Sequence, residues 1–155
     1  MSSGLRPASL GEEAPASDAA GRTLLVDEPS SPARGEKQLS LTLVSFGFKY
    51  GQPPANHYFD VSFLKNPARQ EGWTLFSEPG EEMRRWVLEQ PAAVEFLERM
   101  VPLALFLANA DDDARLALGC SAGRHRSAIL TEELARRLRA EGLEIRVHHR
   151  ERSLG

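Results

Sequence analysis

Arg115-Leu116-Ala117-Leu118-Gly119 runs directly into Cys120-Ser121-Ala122-Gly123-Arg124-His125-Arg126-Ser127. The first five residues form a short apolar run of the kind that makes a buried strand. After the small-residue loop, Ile129, Leu130, Leu134 and Leu138 recur at helical spacing. Gly142 is a helix-stop glycine. Leu143, Ile145 and Val147 then alternate as a further strand. A strand, loop, helix and strand in this order favour an α/β sandwich with parallel pairing.

Working outward, Leu39, Leu41 and Leu43 alternate with Ser40, Thr42 and Val44, which predicts a strand ending in the loop Gly47–Pro54. Tyr58-Phe59-Asp60-Val61-Ser62-Phe63 reads as a second strand, closed by Asn66-Pro67. Residues 68–79 have no period and are expected as a long loop. Pro79-Gly80-Glu81-Glu82 is a helix start with acids in its first turn. Met83, Trp86 and Val87 would form the buried face of that helix. Pro91 opens the next helix, with Val94, Leu97, Val101 and Leu105 as its apolar stripe and a kink expected at Pro102. Asp111-Asp112-Asp113 reads as a solvated turn. The expected fold is α/β: a small, mostly parallel sheet of about four strands flanked by helices.

Residues 1–37 are rich in Ser, Ala, Gly, Pro and Glu, with only Leu24-Leu25-Val26 breaking the polarity. Such a segment buries too little apolar surface to offset chain entropy. The expected organisation is a disordered polar tail, 1–37, and one domain, 38–152. The whole chain of 155 residues carries 19 Lys+Arg against 22 Asp+Glu, a net charge of −3 that disfavours non-specific nucleic-acid coating. One cysteine excludes a disulfide framework and a four-cysteine zinc site, which points to a reducing, cytoplasmic compartment. No apolar run is long enough for a membrane span, and the N-terminus lacks signal-peptide character.

The segment Gly119–Ser127 carries the chemistry. At a helix start the first backbone N–H groups lack partners and the dipole favours an anion. Gly123 permits a tight concave turn, Arg126 offers a planar fork matched to phosphate oxygens, and Ser121 and Ser127 add hydroxyl donors. His125 would contact the phosphate or cap the helix. Lys49, after the first strand, and His148, His149 and Arg150, after the last, would face the same end of a parallel sheet. Cys120, five residues, then Arg126-Ser127 also fits the loop of cysteine-dependent phosphatases, in which a thiolate attacks phosphorus while the arginine holds the oxygens. Gly119 stands where protein tyrosine phosphatases carry histidine, and no upstream acid is recognisable. No spacing of His, Cys and Asp makes a metal site, and no Walker loop occurs.

Three blocks together resemble the C-terminal domain of the RapZ family, the RNase adapter or YvcJ-type nucleotide-binding proteins. They are Ser45-Phe46-Gly47-Phe48-Lys49-Tyr50-Gly51, Phe59-Asp60-Val61-Ser62-Phe63-Leu64-Lys65-Asn66-Pro67 and Gly119–Ser127. The resemblance covers about residues 39–150. It implies a domain that binds glucosamine 6-phosphate and, in enterobacteria, small RNA and a ribonuclease. It implies phosphate-loop roles for Ser121, Gly123, His125 and Arg126, and pocket roles for Lys49, Asp60, His149 and Arg150. It also implies that ATP or GTP activity tied to the family's N-terminal P-loop domain is absent. Ser62 replaces an arginine of the family pattern, Ala68 stands where His or Tyr is usual, and Gly-Cys-Thr-Gly-Gly has become Gly-Cys-Ser-Ala-Gly. The family's Thr-Gly-x-Asp segment is not recognisable in Trp73–Glu82.

The expected function is a non-catalytic binding or regulatory domain for a phosphorylated small molecule, such as an amino-sugar phosphate, held at Cys120–Ser127. It would act as an adaptor towards RNA, a ribonuclease or another protein, with oligomerisation open. The alternative is a cysteine phosphatase using Cys120 and Arg126. No cofactor and no metal are expected. Residues 124–155 hold eight Arg and five acids, a local +3 that could meet a phosphate backbone, but no aromatic residue for base stacking.

Overall fold

The computed structural model of the chain describes residues 38–152. The expected tail, 1–37, lies outside the described residues. Strand β1, Ser40–Gly47, begins in the Leu39–Leu43 alternation and continues further than that pattern. From Leu43 to Gly47 every residue is buried, because both faces of this strand are covered. Strand β2 is His57–Asp60 and is shorter than expected. The Asp60 Oδ1 accepts the Ser62 N–H at 2.9 Å, and Leu64 N–H reaches Val61 O, so the chain turns before Phe63. Helix α1 is Glu81–Leu88, starting within the expected acidic turn, and α2 is Pro91–Ala110. Strand β3, Arg115–Cys120, helix α3, Arg126–Ala140, and strand β4, Glu144–His149, follow the expected order.

The sheet is four-stranded, ordered β2-β3-β1-β4, and every pairing is parallel. β1 and β3 are the inner strands, and the carboxyl ends of all strands share one edge of the molecule. Strand alternation sorts the side chains into two layers. Leu41, Leu43, Leu116, Leu118, Cys120 and Ile145 join the core that holds the buried residues of the three helices. Val44, Phe46 and Ala117 point the other way and are covered by Phe48 and Ala55 of the link between β1 and β2. The three α-helices thus pack on one face, and the β1–β2 link, with one 3₁₀ turn at Phe48–Tyr50, covers the other.

Met83 and Val87 are buried in α1 as expected, whereas Trp86 is only half-buried, edge-on to Trp73 at 5.8 Å between ring centres. In α2 the buried stripe is Ala93, Leu97, Met100, Ala104 and Ala108, and Val94 is exposed. Of the expected stripe, Leu97 is buried, Val101 and Leu105 are partly buried against the core, and Val94 alone faces out. Three of the five fully buried positions are alanines, which the large-residue pattern passed over. Pro102 lies on the exposed side, and α2 continues through it as one helix. α3 ends as its sequence requires. Gly142, at φ 97°, donates to Arg139 O, and Leu143 donates to Leu138 O, which is the double closure of a glycine-capped helix.

Candidate functional site

The loop from Cys120 to Arg126 leaves the end of β3 and enters α3 with His125 as the flanking residue. It is pressed against the end of β1. A Cβ on Gly123, at φ 75°, would stand 2.4 Å from Gly47 N, and a Cβ on Gly47 would stand 2.4 Å from Ala122 C. Only glycine permits this approach of backbone to backbone. Lys49 N–H donates to Ser121 O at 3.2 Å, closing the contact. Among the described residues, the backbone N–H groups of Ser121 through His125 donate to no other group. They gather where the dipole of α3 favours negative charge.

The side chains of the loop turn towards the 61–79 segment. Arg126 is 7% exposed. Its Nη1 donates to Ser62 O at 3.2 Å and Leu64 O at 3.0 Å, and its Nη2 to Ser121 Oγ at 3.3 Å. Arg124 Nε donates to Leu75 O at 3.2 Å while its guanidinium lies over the Phe76 ring. His125 Nε2 bonds Ser77 O at 2.7 Å. A carbonyl only accepts, so the proton sits on Nε2. Burial pushes the His125 pKa down, aided by Arg124 and Arg126 and opposed by the Ser77 bond and Glu78, so the ring is neutral at pH 7. Between loop and cover lies a cavity of only ≈ 10 Å³, room for about one water centre.

Cys120 and Ser127 look inward. Cys120 is buried in the helix-side core, with Sγ 3.3 Å from Ser127 Oγ, and Ser127 Oγ reaches Phe46 O at 3.4 Å. None of the residues lining the small cavity beside Cys120 carries a carboxyl group.

The structure separates the remaining expected site residues. The Lys49 side chain is exposed, its Nζ 5.4 Å from the Tyr50 ring centre. Asp60 is exposed and caps the turn at Ser62. His149 faces the helices. Its Nε2 bonds Glu132 Oε2 at 2.5 Å and its Nδ1 bonds Ser45 Oγ at 2.6 Å. The carboxylate fixes the proton on Nε2, so the serine hydroxyl donates to Nδ1. Ser45 is fully buried, so this serine–histidine–carboxylate chain pins β4 to β1 and α3. Burial lowers the His149 pKa, with Arg152 and His148 adding to it and Glu132 opposing. Arg150 ties the carboxyl end of β1, donating to Gly51 O at 2.6 Å and to Glu151 Oε2. Exposed His148 lies on the other face of β4.

Sequence reasoning missed Glu151. It is 2% exposed and accepts from Gly47 N–H at 2.9 Å, across 104 residues. Its neighbours His149 and Arg150 drew attention, but an acid in a charged terminal run gives no local sign of burial. The carbonyls of Ser62, Leu64, Leu75 and Ser77, which receive the loop's donors, were equally illegible.

A family model described as the RapZ C-terminal domain matches residues 39–153. A protein of Streptomyces coelicolor named "nucleotide-binding protein" is 41% identical over 122 residues, covering 75% of this chain and 41% of its own length. Namesakes from Trichlorobacter lovleyi and Clostridium beijerinckii are 38% and 35% identical, covering 76% and 75% of this chain and 44% and 42% of their own. The chain therefore spans about two fifths of the length of these curated relatives. With the glycine-tight loop at the parallel sheet's carboxyl edge and the match across its described domain, the chain belongs to the RapZ C-terminal domain family.

Proposed function

We propose that this domain binds a phosphorylated small molecule at the Cys120–Ser127 loop without turning it over, and that it serves as a regulatory module. The observation that carries this reading is the run of unpaired amides from Ser121 to His125 at the start of α3, beside the Arg126 guanidinium. Nucleotides and sugar phosphates share the group such a cradle takes, and the relatives' printed name agrees with it. The cavity is too small for phosphate as it stands. The ligand must therefore displace the 61–79 segment, taking over the donors now held by the Ser62 and Leu64 carbonyls. That exchange couples ligand occupancy to the position of a surface loop, which is what a regulatory domain needs. An amino-sugar phosphate fits the family resemblance, as does an adaptor role towards RNA or a ribonuclease. A salt-dependent RNA titration tests the latter.

Thermal-shift and calorimetric titration with a panel of phosphorylated sugars and nucleotides tests the anion site. Arg126→Ala should abolish binding of any hit, and Arg126→Lys should weaken it, since lysine keeps the charge but loses the fork. An unchanged Kd in Arg126→Ala removes the proposal. The spacing of Cys120 and Arg126 keeps the phosphatase reading testable. Without an acid the leaving group departs unprotonated, which forfeits roughly 10²–10⁴ in rate. Wild type should hydrolyse p-nitrophenyl phosphate no faster than Cys120→Ser. A rate difference abolished by thiol alkylation would establish the phosphatase instead.

A further inference from the structure

His125 stands where the Cys120–Ser127 loop meets its cover, and it is 3% exposed. Its Nε2–H donates to Ser77 O at 2.7 Å, so the proton of the neutral ring points at the cover. Burial is the main thing that keeps a second proton off the ring. The Ser77 carbonyl opposes burial by accepting from the ring. The Arg124 and Arg126 guanidiniums on the same loop repel a positive charge, and exposed Glu78 of the cover attracts one. Asn66 and Leu75 of the cover and Cys120 at the end of β3 share a small cavity with His125 and bring no carboxylate to it. His149 is occupied by Glu132 and Ser45 and does not line that cavity.

A dianion in the loop removes what keeps the ring neutral. Its two negative charges cancel the repulsion from Arg124 and Arg126. An anionic oxygen in the place of Ser77 O is a stronger acceptor than a carbonyl and favours the imidazolium. Moving the cover aside returns part of the ring to water, which lessens the cost of charging it. Glu78 leaves with the cover, but an exposed carboxylate attracts the ring less than a dianion in contact with it.

We infer that the loop takes up a proton on His125 as it binds a dianion, so that pH regulates occupancy of the site. This rests on the phosphate-loop reading and adds its regulation. The free domain holds the His125 pKa below the ordinary 6.5 and the dianion raises it, so binding draws a proton from solution between the two values. Affinity therefore climbs as pH falls through the bound value and levels off once the free ring is itself protonated.

Sulfate is the probe, because it remains a dianion near neutral pH, where phosphate monoesters titrate. Calorimetric titration of the full chain with sulfate at constant ionic strength should show Kd falling about tenfold between pH 7.5 and 5.5. At pH 6.5, heats measured in two buffers of different ionisation enthalpy should report net proton uptake. NMR of the imidazole resonances should show His125, among the chain's four histidines, titrating at higher pH with sulfate than without. His125→Gln should bind sulfate with an affinity that changes by less than about twofold over the same range, while His149→Gln keeps the wild-type slope. Should His125→Gln fail to fold, the two-buffer heats and the NMR titration decide. Sulfate binding without proton uptake, or a wild-type slope that persists in His125→Gln, overturns the inference and leaves the phosphate site standing. No sulfate binding at millimolar concentration at either pH, or binding unaltered in Arg126→Ala, removes the site itself and the inference with it.

Discussion

The Cys120–Ser127 loop and the 61–79 segment lie against each other, yet different forces shape them. The loop is held by covalent neighbours of fixed geometry, with β3 before it, α3 after it and the backbone of Gly47 pressed against Gly123. The covering segment has only one short 3₁₀ turn, Pro67–Arg69, capped by the Asn66 side chain. Buried Val61, Leu64 and Pro67 anchor its first half. Its second half, through Leu75 and Ser77, is tied to the loop by single bonds from Arg124 and His125. On the proposed reading, a ligand's oxygens would take the place of these few polar bonds.

Gly123→Val attacks the cradle and should have the largest effect. The new side chain would combine a left-handed backbone with a Cβ 2.4 Å from Gly47 N, and we expect about 3 kcal/mol or more of destabilisation. Chemical denaturation measures it, and a loss under about 1 kcal/mol would show that the loop is not rigid. Arg126→Ala attacks the junction. The buried Leu64 carbonyl and the part-buried Ser62 carbonyl lose their donor, for about 2 kcal/mol in total. Limited proteolysis should then cut within residues 61–79 before any cut in α3. Simultaneous cutting would mean that loop and cover unfold together.

Acid should loosen the same junction by a smaller amount. The His125 and His149 pKa values are held below the ordinary 6.5 mainly by burial. The unfolded chain therefore binds more protons near pH 6 than the folded one, and stability rises with pH through that range. The contribution of these residues is complete above about pH 6.5 and is lost as pH falls towards their depressed folded values. The Tm should fall by a few degrees between pH 7.5 and 5.5, and His125→Gln, which keeps a donor for Ser77 O, should flatten the slope. A slope unchanged in both His125→Gln and His149→Gln would assign the pH dependence elsewhere. Phe76→Ala should do least. The ring is 74% exposed, so stability should change by no more than about 0.5 kcal/mol, with faster amide exchange in residues 73–79 as the only local sign.

The cradle was legible and the cover was not. Gly123, Ser121 and Arg126 announced a tight turn into a helix, because small residues and a helix start are written in consecutive positions. What Arg126 touches was not. Its partners lie 62 and 64 residues away in a stretch without period, and they are backbone carbonyls, which every residue possesses. His149 illustrates the same limit. Its place after the last strand suggested the ligand edge, while strand alternation turns it to the helices and onto Glu132.

By itself the sequence determined a mostly parallel α/β frame from β3 onward, since strand, turn, helix and glycine cap follow one another within the reach of local periodicity. It also determined family membership through three ordered blocks. Only the tertiary structure decided that β1 lies between β3 and β4, that α2 buries three of its alanines, that Glu151 is buried, and that the loop's cationic donors end on the carbonyls of its cover. The reason is physical. Periodicity records which face of an element meets apolar surroundings, but pairing between distant segments depends on shape and on hydrogen-bonding groups common to all residues. Those groups acquire specificity only when the core has brought them together.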